Sequence, residues 1–196
     1  MIIRKARAED SDRILEIYAP YILNTTITFE YNVPSSADFR RRVEKIMSEY
    51  PYYVCEEEGE VLGYCYGSRY MERAAFGWDM ELSVYLKDKA KGRGIGKALY
   101  GAVIDTAELM NVKNLYGLIA VPNPRSEGLH RDLGFRLETV MKKTGWKFGR
   151  WIDLLYFKKV LNPSAEPQLV KNVNDLDPAE IEKILNKYTT YVNKSS

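Results

Sequence analysis

The chain predicts an α+β fold built on a mixed sheet, and three observations carry that expectation. β-prone and helix-prone segments alternate at the N-terminus, three antiparallel strand candidates fill the middle, and a β-loop-α-β-α-β-β order closes the second half, which requires a βαβ crossover. With 196 residues, 45% of them apolar, there is enough chain for one sizeable core.

The opening IIRKA reads as a short apolar strand, and Glu9, Asp10 and Asp12 cap a helix carrying Ile14, Leu15, Ile17 and Tyr18. TTITFE is rich in β-branched residues and predicts a second strand, stopped by Val33-Pro34-Ser35. Ser35 with Asp38 three residues later marks a helix start, after which Phe39, Val43, Ile46, Met47 and Tyr50 recur at helical spacing. From Tyr52 to Arg69, two β-prone runs surround a Glu-Gly-Glu turn and predict a hairpin. MELSVYL adds a third antiparallel strand, with Glu81, Ser83 and Tyr85 on one face and Leu82, Val84 and Leu86 on the other.

Beyond the loop KDKAKGRGIG, a helical stripe of Ile95, Leu99, Ala102, Val103, Thr106 and Leu109 or Met110 is weakened only by Gly101. LYGLIAV has too little polar alternation to face water and reads as a central strand. Asn123-Pro124 reads as an N-cap followed by proline at the first helical position, with the helix ending before Gly134. FRLETVMKK and WIDLLYFKKV are the last two strand candidates, flanking the turn-like GWKFGR. These elements assign residues 1–161 to one domain and 162–196 to a tail with one short amphipathic helix, from Pro178 to about Tyr188. The pattern leaves open whether that tail docks.

Twenty-nine basic against 27 acidic residues give a net charge of +2, which lacks the electrostatic footprint of a nucleic-acid binder. No apolar run approaches the roughly 18 residues of a membrane span, and MIIRKARAED lacks a signal peptide's apolar core, so the cytoplasm is the expected compartment. Cys55 and Cys65 have neither metal-ligand spacing nor a disulfide framework; they read as reduced core thiols, and no metal is expected.

The loop from Lys91 to Gly96 is the chemically suggestive segment. Small residues let successive backbone N–H groups turn toward one point, and a helix starting there adds its positive end, a combination suited to phosphate. Lys91, Arg93 and Lys97 add full charges. A Walker A loop fails at Lys91 and Ala98, and a dinucleotide fingerprint starting at Gly92 fails at Lys97.

The remaining pattern, basic-x-x-Gly-x-Gly between a strand and a helix, resembles that of the GCN5-related N-acetyltransferase (GNAT) superfamily, with Lys91 where that superfamily usually has Gln or Arg. Across about residues 2 to 160 the sequence is similar to the phosphinothricin and methionine sulfoximine acetyltransferase branch, through TITFE with Phe29, the run from Arg73 through Trp78 to Glu81 and Tyr85, NPRSEGLHRDLGF, and GWKFGRWID. The resemblance implies the GNAT acyl-CoA N-acyltransferase fold, a mixed sheet of about seven strands with flanking helices, and acetyl-CoA as cosubstrate. By the same resemblance, Lys91, Gly92, Arg93, Gly94, Ile95, Gly96 and Lys97 hold the pyrophosphate, and the backbone around Val84, Tyr85 and Leu86 with Asn123 and Ser126 meets the pantetheine arm.

Amide formation needs a base to take the proton of the attacking ammonium, and Glu81 matches the branch's strand carboxylate. His130, the sole histidine, stands where the superfamily often carries a tyrosine that protonates the departing thiolate; it fits either acid or base. Phe29, Arg73 and Tyr85 are implied on the substrate side, where arginine suits a carboxylate or phosphinate. Met71 stands where phosphinothricin-acetylating relatives tend to carry lysine, which leaves methionine sulfoximine, methionine sulfone or another analogue open as acceptor. Trp78, Trp146 and Trp151 fit a core, a pocket wall or a subunit interface. The expected activity is N-acetylation of a small amino-acid-like amine by a homodimer. A peptide N-terminal acetyltransferase and a non-catalytic acyl-CoA-binding module are the alternatives.

Overall fold

In a computed structural model that describes residues 1–161, 163 and 166–194, seven strands form a single sheet. They are β1 (Ile2–Lys5), β2 (Tyr52–Glu57), β3 (Glu60–Arg69), β4 (Asp79–Leu86), β5 (Asn114–Ala120), β6 (Arg136–Lys147) and β7 (Arg150–Val160), arranged β1-β2-β3-β4-β5-β7-β6. Five α-helices accompany them: α1 (Ser11–Asn24), α2 (Ser36–Met47), α3 (Ile95–Leu109), α4 (Pro124–Asp132) and α5 (Pro178–Lys194). All neighbouring strands are antiparallel except β4 and β5, which α3 joins as a parallel crossover.

Two cores cover the two faces of the sheet. On one face, Ile14, Ile17 and Ile22 of α1 and Phe39 and Val43 of α2 pack on Val54, Val61 and Tyr64. On the other, Leu99 and Val103 of α3 pack on Leu62, Met80 and Leu115, with Ala98, Ala102 and Ala107 letting the helix approach the strands. Each fully buried aliphatic side chain there contributes about 1.5–3 kcal/mol of transfer free energy. The Ser35 cap forms as its sequence indicates, its hydroxyl accepting from the Asp38 amide at 3.2 Å.

TTITFE is not a strand; residues 25–30 are irregular. Thr25 and Thr28 spend their hydroxyls on bonds that substitute for a ladder. Thr25 Oγ1 donates to the Tyr21 carbonyl at 2.7 Å and accepts from the Ile27 amide at 3.2 Å, while Thr28 Oγ1 meets the Tyr18 hydroxyl at 2.7 Å. The segment is strapped to β6 instead: the Lys147 ammonium donates to the Thr28 carbonyl at 2.7 Å, Tyr31 Oη donates to the Trp146 carbonyl, and Phe29 lies on Gly145. GWKFGR is also mostly strand, since β6 runs to Lys147 and only Phe148 and Gly149, at φ +50° and +72°, make the turn.

The tail helix α5 runs six residues past Tyr188, to Lys194, and docks through Ile181, Ile184 and Val192, all members of the α3-side core. Gly101 receives it, because a Cβ there would lie 2.4 Å from Tyr188 Cε1. Trp78 anchors the segment before it, its Nε1 donating to the Gln168 carbonyl at 2.6 Å. Residue 162, where the sequence places the start of the tail, lies outside the described residues.

Candidate active site

Strands β4 and β5 pair at only three positions, Asp79 with Asn114, Met80 with Leu115 and Glu81 with Tyr116. Past Glu81 they part, and a cleft of about 790 Å³ opens between them. The Lys87 amide turns to the Leu62 carbonyl on β3 at 2.9 Å, so by strand alternation Leu86 and Val84 direct their amide and carbonyl groups to the open side. The open edge of β4 therefore offers an extended amide-bearing chain a ladder partner. Tyr21 from α1 already reaches it, donating its hydroxyl to the Leu86 carbonyl at 2.6 Å.

At the mouth of the cleft the glycine loop turns into α3. Gly92 and Gly94 adopt φ of +82° and +76°, conformations that L side chains rarely take, and Gly94 is the N-cap of α3. The first-turn amides of α3 thus face the cleft with the positive end of the helix dipole. Lys91, Lys97 and, from α4, Arg125 bring cationic side chains to the same mouth. Lys91 Nζ is held 2.5 Å from Asp88 and stands over the Tyr21 ring at 5.1 Å, and Lys97 Nζ lies 3.6 Å from Asp132.

Other residues of the sequence-derived set divide. Val84, Tyr85, Leu86, Gly92, Gly94, Gly96, Asn123, Ser126 and His130 line the cleft with Lys91 and Lys97. Arg93 does not: its guanidinium makes a bidentate pair with Glu57 at 2.8 and 3.0 Å, away from the cleft. Ile95 is buried in the core at 1% exposure. Arg73 sits exposed on the 70–78 segment and does not line the cleft. Phe29 rests on Gly145 under the 25–31 strap. Asn123 caps α4, its side chain accepting from the Ser126 amide at 3.3 Å.

Glu81 does not itself line the cleft; it stands just behind it, at the last paired position before the cleft-lining Leu82. Among the described residues no hydrogen bond or ion pair reaches its carboxylate, and burial pushes its pKa up to about 7.

His130 is 3% exposed, enclosed by Tyr100, Phe135 and Phe157. Its Nδ1 lies 2.8 Å from the Ser126 carbonyl, which only accepts, so Nδ1 carries the proton. Nε2 is then the acceptor, and Tyr100 Oη donates to it at 2.7 Å. Burial lowers the His130 pKa and raises that of Tyr100, so both are neutral at neutral pH. Gly117 makes room for the ring: a Cβ there would lie 2.0 Å from Nε2. With this tautomer His130 points no proton into the cleft. Among the cleft residues that the sequence did not single out, Tyr100, Tyr21 and Arg125 carry polar or charged tips. Their only sequence signal is a polar tip on an apolar helix position or a basic residue at a helix start, too common to single out.

The fold and cleft have counterparts. Residues 3–156 match the family model described as an acetyltransferase (GNAT) domain. The chain belongs to the GNAT acetyltransferase family. A phosphinothricin N-acetyltransferase of Alcaligenes faecalis is 35% identical over 162 residues, 82% of each chain. An L-methionine sulfoximine/L-methionine sulfone acetyltransferase of Pseudomonas aeruginosa is 34% identical over 83% of this chain and 95% of its own. A crystal structure of a Sinorhizobium meliloti phosphinothricin acetyltransferase in complex with acetyl-CoA superposes with a TM-score of 0.81, at 37% identity over 85% of this chain and 92% of that one. The acetyltransferase described here is accordingly acetyl-CoA-dependent. The open β4 edge, the glycine turn and the first turn of α3 fit such a cosubstrate: a strand edge for its amides, helix amides and lysines for its phosphates.

Proposed function

We propose that this acetyltransferase acetylates the α-amine of a small amino-acid-like acceptor of the phosphinothricin, methionine sulfoximine or methionine sulfone type, with Glu81 as the base. The observation that carries the reading is a carboxylate on β4 at the last paired position before the cleft, without a hydrogen-bond or ion-pair partner among the described residues and pushed by burial up to about 7, which is the range a base needs at neutral pH. Acetyl-CoA, when bound, supplies the acetyl group as an activated thioester. Lys91, Lys97 and the amides from Gly94 onward bind its phosphates, and the Val84 and Leu86 backbone with Asn123 and Ser126 orients its arm. Glu81 removes a proton from the acceptor's ammonium. Tyr100 turns its hydroxyl oxygen to the reacting end, its proton held by His130 Nε2, and the proton that Glu81 takes returns through solvent to the coenzyme A thiolate released as the amide forms. Tyr85 walls the acceptor side of the cleft.

A second copy of the chain covers the β6–β7 hairpin in solution. Its support is exposed aromatic surface at the hairpin end, with Trp146, Phe148 and Trp151 exposed by 47%, 58% and 57% and the two tryptophan rings 5.2 Å apart. The enzyme works in the cytoplasm on a small molecule and has no nucleic-acid or membrane partner. Near-neutral net charge and two free buried thiols, Cys55 and Cys65, support this, and no helix among the described residues is long and apolar enough to cross a membrane.

A coenzyme A thiol-release screen of amino-acid analogues against short peptides tests the reading. Turnover with methionine sulfoximine or phosphinothricin is expected. Turnover with peptides alone assigns peptide N-terminal acetylation instead, and tight acetyl-CoA binding without any thiol release assigns a binding module. Sedimentation of wild type beside Trp151→Glu tests the dimer, which the substitution should dissociate.

A further inference from the structure

Beside Glu81, on the side away from the cleft, the sheet carries a stack of three side chains. Ser68, Glu81, Tyr116 and Lys158 are register partners across β3, β4, β5 and β7, so their side chains share one row on one face. Tyr70, just beyond the end of β3, has the same parity as Ser68. Its ring lies face to face on Tyr116, with centroids 4.0 Å apart and planes 5° from parallel. Since β4 runs between β3 and β5, this stack can form only by crossing over β4 at Asp79 and Glu81. The stack continues on β7, where Lys158 Nζ stands 5.6 Å from the Tyr116 ring centroid.

We propose that Tyr70 is a positioning residue for acetyl transfer: its ring, stacked across β4 on Tyr116, shuts bulk water from Glu81 on that side, so that the acceptor amine reaches the carboxylate only through the cleft. The proposal rests on the reading of Glu81 as the base. Water at that carboxylate has two consequences for such an enzyme. It lowers the base's pKa toward that of an exposed glutamate, and it offers a competing nucleophile that would turn acetyl-CoA and water into acetate and free coenzyme A.

Several other ionisable groups surround Glu81. Asp79 lies on its own strand, paired to Asn114 Nδ2 at 2.7 Å. Tyr66 comes from β3, Tyr85 from β4, Tyr116 from β5, Tyr156 and Lys158 from β7, and Tyr100 from α3. Burial, and none of these charges, is what raises Glu81. That is why removal of a covering ring is the informative change. Tyr70→Phe keeps the stacked ring and serves as the conservative control.

The experiment titrates the Glu81 carboxyl by 13C NMR in the ligand-free wild type, Tyr70→Phe and Tyr70→Ala, alongside acceptor-free thiol release from acetyl-CoA. Wild type and Tyr70→Phe are expected to titrate near 7 with little hydrolysis. In Tyr70→Ala the midpoint should fall by on the order of one pH unit or more, and acceptor-free release should rise several-fold relative to acetyl transfer. A folded Tyr70→Ala that keeps both the midpoint and the low hydrolysis overturns the proposal, as does a Tyr70→Phe that behaves like the alanine variant. A wild type that titrates near 7 yet acetylates no amine overturns the reading of the site instead, a result the NMR arm keeps separate.

Discussion

The Tyr100 hydroxyl donates to His130 Nε2 at 2.7 Å, across 30 residues of sequence and between two helices on one side of the sheet. The other ring nitrogen is spent on the Ser126 carbonyl one turn back in α4, and Gly117 leaves the space the ring fills. A histidine fixed at both nitrogens, with burial lowering its pKa, is an orienting group and a poor base. Glu81, raised to about 7, is the better matched one.

Tyr100→Phe and His130→Gln are expected to lower kcat with little change in the acetyl-CoA KM. Because His130 acts through Tyr100, the double variant should be no slower than the worse single one. Tyr100→Phe also leaves a buried acceptor unpaired at Nε2, costing about 1–3 kcal/mol in stability, read by urea unfolding. Multiplicative losses in the double variant would show that the two residues act independently.

Glu81→Gln should reduce kcat/KM by on the order of 10²- to 10⁴-fold, and the wild-type profile should rise with pH through about 7 as the carboxylate ionises. Stability moves the other way. Folding raises this group from 4.5 to about 7, so its contribution is fully present below 4.5 and lost as pH rises through about 7. At pH 8 Glu81→Gln is therefore expected to be more stable than wild type by about 3 kcal/mol, since each tenfold change in proton affinity is worth about 1.4 kcal/mol. Thermal melts of both proteins at pH 5 and pH 8 check it; the gap should open only at the higher pH.

Local signals were legible in this sequence wherever they alone determined the structure. The Ser35 and Asn123 caps, the hairpin around Gly59 and the glycine turn before α3 all form, because each needs only neighbouring residues. TTITFE misled because β-propensity reports fit to a pleated surface, and here Tyr18 and Lys147 hold the threonine-rich segment as an irregular strap. Tyr100 and Tyr21 were invisible for a related reason: their polar tips find partners 30 and 65 residues away, and no periodicity encodes that. Arg93 looked like a phosphate ligand until the fold set Glu57 beside it.

Gly94→Val tests the phosphate end. At φ +76° a β-branched residue is strained, so the turn must shift and the first-turn amides of α3 lose their common aim. Acetyl-CoA affinity should fall at least tenfold in calorimetry, while Lys97→Ala should weaken binding modestly and mainly at low salt, as expected of an exposed charge. Unchanged affinity in a folded Gly94→Val would remove the loop from the binding site.

The docking of α5 makes a prediction whose sign reverses with context. In an isolated helix, Gly101→Ala should stabilise α3 by about 1 kcal/mol, because alanine loses less backbone entropy. Here the added Cβ would sit 2.4 Å from Tyr188 Cε1 and 2.7 Å from its hydroxyl, and that hydroxyl is tied to Asp105 at 3.0 Å, so the ring cannot simply turn away. Gly101→Ala is therefore expected to destabilise the wild type. Tyr188→Ala, which empties the half-buried site, should cost about 1–3 kcal/mol on its own. In the Tyr188→Ala background the same Gly101→Ala change should stabilise, since only the helix propensity remains. A double-mutant cycle by chemical unfolding reads the coupling directly. Additive effects would show that α5 touches α3 without being specified by it.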